Sequence, residues 1–196
     1  LMLITGILSA FMSNTATTAT MFAVVIPILS SIKDRKARSG VALAIPLAAN
    51  VGGIATPVGT PPNAIAVGAL ESNGIHLSFI DWMIMAGPFA AVILIASWVL
   101  LCALFIPRGE RIELEMDANW NMSPKAKIFY GIAALTIALW MTEPLHGVSS
   151  NTVGFIPVAL LLCLRVMDGS DIKKLDWPVL WLVSGGIALG TGIGAT

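Results

Sequence analysis

What limits this chain most is the length of its uncharged apolar runs. No Asp, Glu, Lys or Arg lies between Leu1 and Ile32, between Ser39 and Leu70, or between Trp82 and Ile106. Runs of about 20 mostly apolar residues are long enough to cross a bilayer as helices. In hydrocarbon the backbone must satisfy its own hydrogen bonds, so such runs fold as helices. Hydrophobic residues make up 57% of the 196 positions and charged residues 11%, too few charges to clothe a soluble core. The expected fold class is an all-α polytopic membrane protein. Eleven basic residues balance eleven acidic ones, so there is no basic excess to attract nucleic acid.

The apolar blocks are separated by charged or turn-rich seams. The first, residues 1–32, is interrupted by "SNT" and ends at "KDRKARS"; the second, about 40–70, is interrupted by "TPVGTPPN". A third, about 82–106, is continuous, and a charged linker, 107–127, leads to blocks at about 128–142 and 148–166. A sixth begins near Trp177. Every basic residue falls in one of three seams: Lys33 to Arg38, Arg108 to Lys127, and Arg165 to Lys174. If the second to fifth blocks each cross once, these seams share one face and the seams without Lys or Arg share the other. The positive-inside rule makes the basic face cytoplasmic. The amphipathic middle of the linker is expected on the membrane surface.

The block "MSNTATTAT" sets six small polar residues, Ser13, Asn14, Thr15, Thr17, Thr18 and Thr20, at membrane depth. They must face protein or water, because in lipid their donors would lack partners. Isolated Ser or Thr residues bond back to the preceding turn or cement helix contacts. A dense cluster with Asn at its centre is better explained by a broken helix or a re-entrant tip. The break is expected between a segment ending near Phe11 and Met12 and one beginning near Ala16, with Ser13, Asn14 and Thr15 as caps. Freed carbonyls suit a hard cation, and freed N–H groups at a helix start suit an anion.

"GGIATPVGTPPN" repeats this logic. Gly52, Gly53 and Gly59 allow close approach, and Pro57, Pro61 and Pro62 prevent a continuous helix. Two interrupted blocks in one chain are a pointer to a transporter site near the midplane. No charged residue or His lies deep in the complete blocks, so an Arg clamp or proton relay is not expected. His76 and His146 read as solvated or capping residues, and Glu143 as an interfacial helix-end carboxylate. Cys102 and Cys163 read as buried hydrophobes. An intramembrane hydrolase would need a nucleophile with a base at its depth, so the chain is not read as an enzyme.

These two motifs, in this order, resemble the divalent anion/sodium symporter family, which includes sodium-coupled dicarboxylate and citrate carriers. The later "ALWMTEPLHG" and "DWPVLWLVSGGIALGTGI" extend the resemblance over nearly the whole chain. It implies two inverted repeats, each with a re-entrant helical hairpin and a broken transmembrane helix. Residues 1–106 would be the remainder of the first repeat, 107–127 a cytoplasmic linker and 128–196 the start of the second. Asn14, Thr15, Thr60 and Pro61 would bind substrate, while Ser9, Ser13, Asn14 and Gly59 would hold a co-transported sodium ion. The resemblance further implies an elevator-like motion, a homodimer in the full-length protein, and a place in the plasma or inner membrane.

A second "SSNT", Ser149 to Thr152, lies too close behind the preceding span to be a hairpin tip. Ser150 or Asn151 is expected to cap a helix there. Both chain ends fall inside apolar runs, so the sequence is read as an internal portion whose second tip lies beyond Thr196. The expected function is sodium-coupled uptake of di- or tricarboxylates such as succinate. The competing reading is a sodium-independent anion exchanger or oxyanion permease for sulfate or arsenite.

Overall fold

The computed structural model describes residues 1–106, 122–175 and 177–194. Among these residues all regular structure is helical: α1 (Met2–Ser9), α2 (Asn14–Ser31), α3 (Arg35–Gly53), α4 (Pro61–Ser72), α5 (Phe79–Phe105), α6 (Pro124–Met141), α7 (Glu143–His146), α8 (Ser150–Cys163), α9 (Gly169–Lys173) and α10 (Trp177–Gly194). Two compact units emerge, one built from 1–67 with 82–106, the other from 68–81 with the described residues from 122 onward. The middle of the linker, expected on the membrane surface, falls within 107–121, outside the described residues.

In the first unit, α3 is the element on which α1 and α2 both pack. Its contact with α1 is made by small residues. A Cβ on Gly52 would stand 2.5 Å from Gly6 Cα and 2.7 Å from Gly6 C, so the two backbones touch where neither residue has a side chain. The contact with α2 is apolar, with Met21 and Val25 against Ile45 and with Phe22, Leu29 and Val41 around them. The turn from α2 to α3 is locked by polar groups. Asp34 caps α3 by accepting from Lys36 N at 3.3 Å and Ala37 N at 2.9 Å. The Arg38 guanidinium returns to donate twice to Ile32 O, at 3.2 and 2.6 Å.

At 27 residues, α5 is roughly 40 Å long at about 1.5 Å per residue, more than a hydrocarbon core of about 30 Å. It is the one helix among the described residues long and apolar enough to cross a membrane unaided. The expectation of a full crossing by each complete block is therefore met in length and apolarity together only by α5 among the described helices. Breaks and caps shorten the others: α3 stops at Gly53, α4 has 12 residues and α8 has 14.

In the second unit, the start of α5 is anchored by Glu143. Its carboxylate accepts from Phe79 N at 2.8 Å and from Ser150 N at 3.2 Å, so one side chain serves the first turns of α5 and α8. Phe79, fully buried, stacks on Trp140 at 5.0 Å between ring centroids, and Trp140 Nε1 donates to Ser150 O at 3.0 Å. Glu143 is thus a helix-end carboxylate as expected, with a bridging role that its sequence neighbours do not disclose. His146 accepts from Val148 N at Nδ1, so Nε2 carries the proton and donates to Leu139 O at 2.8 Å, a capping role. The cap of α8 is Ser149, whose Oγ accepts from Thr152 N at 3.4 Å; Ser150 and Asn151 are already helical, which corrects the expected position. Cys163 is exposed and Cys102 half-buried, unlike the buried hydrophobes expected.

The glycine contact between α1 and α3 yields a sign test. Ala at a helix-interior Gly normally gains about 1 kcal/mol of propensity, whereas forcing a methyl against fixed backbone costs about 1–3 kcal/mol. Gly52→Ala is expected to lower the melting temperature in detergent. Gly87→Ala, where a Cβ meets nothing within 4 Å, is expected to leave it unchanged or raise it.

Candidate functional site

The first break is made by Ser13. Its extended backbone ends the turn after α1, and its Oγ accepts from Ala16 N at 3.2 Å, as an N-cap should. The helix beyond starts at Asn14 rather than near Ala16, and α1 ends at Ser9 rather than near Phe11. The interruption is therefore the four residues 10–13. Ser13 is the cap, while Asn14 and Thr15 are the first helical residues.

The second break spans 54–60, slightly upstream of the expected "TPVGTPPN", because Pro61 and Pro62 open α4. Proline suits a first helical turn, where no intrahelical donor is needed. The carbonyls freed in the break are taken up by side chains. Asn63 Nδ2, buried, donates to Gly53 O at 2.9 Å and Thr56 O at 2.8 Å, with Ile54 O at 3.4 Å. Trp82 Nε1 donates to Ile54 O at 3.1 Å.

The two breaks meet. Thr56, buried, donates its hydroxyl to Ala10 O, joining the unwound end of α1 to the unwound end of α3. Ser9, fully buried, donates to Asn14 Oδ1 at 2.7 Å, and Asn14 Nδ2 donates to Asn50 Oδ1 at 3.1 Å. Gly53 lies at the centre: a Cβ there would fall 3.2 Å from Gly59 O and closer still to Asn14 Oδ1. Ser9, Asn14 and Gly59 therefore converge on one point, and Thr60 and Pro61 follow Gly59 directly. Ser13 and Thr15 are exposed at the start of α2. The side-chain oxygen of Ser13 is committed to its cap, and its carbonyl accepts from Thr17 N at 2.9 Å.

The donors gathered here are a hydroxyl, an amide oxygen and a carbonyl, all neutral and all oxygen. That set matches a hard monovalent cation, and the first turn of α2 adds N–H groups at a positive helix end. Asn50, Thr56, Asn63 and Trp82 were not singled out by the sequence reading. For Asn63 a signal existed, a polar residue directly behind the double proline, which is where a break needs a donor.

The sequence model of the family described as citrate transporter matches residues 1–196. The chain belongs to this family, within the divalent anion/sodium symporters. It is 30% identical to the sodium-dependent dicarboxylate transporter SdcS of Staphylococcus aureus strains USA300, NCTC 8325 and COL. The match covers 98% of this chain and 44% of each relative, so the chain spans less than half the length of those proteins. A chain of this transporter family is an integral membrane protein, which is the setting in which such breaks must be satisfied from within.

In this citrate transporter family member, the buried threonine hydroxyls are not treated alike. Thr5 and Thr136 bond back to the carbonyl four residues earlier, at 3.0 and 2.8 Å, whereas Thr17 Oγ1 is buried with no hydrogen-bond partner among the described residues. An unpaired buried hydroxyl costs about 1–3 kcal/mol. Thr17→Val, nearly isosteric, is expected to raise the melting temperature of the ligand-free protein. Asn63→Leu is expected to do the reverse, by about 1–3 kcal/mol or more, because it strands buried carbonyls. Paired thermal melts of the two variants check both signs.

Proposed function

We propose that this chain is the substrate- and sodium-binding part of the first half of a secondary active transporter, coupling sodium entry to uptake of a di- or tricarboxylate such as succinate. The observation that carries the reading is the convergence of Ser9 Oγ, Asn14 Oδ1 and Gly59 O around Gly53. Sodium would bind to these oxygens and to backbone at Ser13. A substrate carboxylate would take the second Nδ2 hydrogen of Asn14, the Thr15 hydroxyl and the first-turn N–H groups of α2, with Thr60 and Pro61 lining the opposite side. The names of the relatives, sodium-dependent dicarboxylate transporters, support both partners.

On this reading α1 and α2 form a re-entrant hairpin, and α3 and α4 a broken transmembrane helix. Residues 1–106 are the remainder of one repeat and 128–196 the start of its inverted copy, joined by a cytoplasmic linker. The basic seams face the cytoplasm, the hairpin unit moves in an elevator-like manner, and the full-length carrier is a homodimer in the plasma or inner membrane. A sodium-independent exchanger or oxyanion permease is the competing function, and the neutral oxygen cluster favours the sodium-coupled one.

Uptake of radiolabelled succinate into proteoliposomes of the full-length carrier tests the proposal. Wild type should require an inward sodium gradient. Asn14→Ala should reduce uptake roughly 10- to 100-fold, the range for losing a hydrogen bond to a charged ligand. Uptake indifferent to sodium and to Asn14 would reject the reading.

A further inference from the structure

Asn50 sits near the end of α3, one turn before the second break, exposed at its surface. Its side chain accepts a hydrogen bond from the amide of Asn14, whose Nδ2 lies 3.1 Å from Asn50 Oδ1. A primary amide is chemically two-sided: turning it by half a revolution exchanges acceptor for donor. The Ser9 hydroxyl cannot by itself choose between the two settings of Asn14, because a hydroxyl both donates and accepts. In the observed setting Ser9 donates to Oδ1 at 2.7 Å, and the Ser9 lone pairs and the second lone pair of Asn14 Oδ1 remain available. In the reversed setting an N–H would point into the oxygen cluster and oppose a cation.

We propose that Asn50 is a positioning residue: by accepting from Asn14 Nδ2 it favours the Asn14 amide with its oxygen toward Ser9 and Gly59, since reversing Asn14 requires reversing Asn50 as well, and so it sets the affinity of the sodium site without touching the ion. The proposal rests on the sodium and substrate reading of Asn14 given above. By accepting one Nδ2 hydrogen, Asn50 also leaves the other to project toward the substrate side. It couples the first break to α3 through one hydrogen bond, independently of the Thr56 bond to Ala10. Carboxylate at position 50 can only accept, so it would enforce the same setting of Asn14; a methyl would enforce neither.

The test uses the full-length carrier in proteoliposomes, with sodium titrated at saturating succinate and the amount of incorporated protein measured for each variant. Asn50→Ala is expected to raise the half-saturating sodium concentration roughly fivefold, the worth of one exposed hydrogen bond, while maximal uptake stays within about twofold of wild type. Asn50→Asp is expected to keep half-saturating sodium at or below the wild-type value and to raise the succinate KM, because a carboxylate repels the dianion. An effect confined to protein amount, or equal sodium shifts in the Ala and Asp variants, would assign Asn50 to packing and overturn the proposal. Asn14→Ala run alongside separates the two readings. A loss of uptake there with an unchanged Asn50→Ala curve rejects the role of Asn50 alone. Insensitivity of both variants rejects the site itself.

Discussion

Everything in the first unit follows from carbonyl groups that have lost their helix. Interrupting a helix frees up to four carbonyls on one side and four N–H groups on the other, and inside a membrane water does not make up the deficit. The chain meets this need with three neutral side chains from outside the breaks or across them. Thr56 serves Ala10 O, Asn63 serves Gly53 O and Thr56 O, and Trp82 serves Ile54 O. Because each donor belongs to a different segment from at least one of its acceptors, satisfying the backbone also fixes the breaks relative to each other. The close contact of Gly6 with Gly52 completes the arrangement, since α1 could not bring Ala10 to Thr56 if a side chain held the helices apart.

The same logic decides which oxygens are left over for a ligand. Those of Gly53, Ile54, Thr56 and Ala10 are occupied by donors and serve as structure. The Ser9 hydroxyl, Asn14 Oδ1 and Gly59 O retain lone pairs beside Gly53, where small residues bring backbone and side-chain oxygens close together. Glycine at 53 matters there for a steric reason, because a Cβ would push Asn14 Oδ1 from its place. The division of labour between structural and available oxygens thus comes from geometry rather than from residue type.

This explains what could and could not be read from the sequence. Both breaks were legible, since a cluster of hydroxyls with Asn and a cluster of prolines with Gly are locally incompatible with buried helix. Their limits were displaced by a few residues: Ser13 caps a helix that starts at Asn14, and Pro61 belongs to the first turn of α4 instead of the loop. The start of α10 at Trp177 was legible from composition. The pairings were not, because Asn50 to Asn14 spans 36 residues and Trp82 to Ile54 spans 28, and nothing local at either partner records the other. Glu143 shows the same limit, with its neighbours suggesting a helix end but not that Phe79, 64 residues earlier, shares its carboxylate.

A site with no formal charge has a consequence for coupling on the proposed reading. If an Arg held the anion or an Asp held the cation, each ligand would find its counter-charge in the protein and could bind alone. Here the protein offers only dipoles, so each bound ion is the strongest charge available to the other. Two opposite charges about 4 Å apart attract by about 4 kcal/mol at an effective dielectric near 20, enough to make sodium and dicarboxylate occupy the site together far more often than singly. By linkage the effect is reciprocal: whatever sodium does for the affinity of the anion, the anion does for sodium. The absence of charged residues from the breaks is therefore not a gap in the site. On the proposed reading it is the feature that would tie movement of the substrate to movement of the ion.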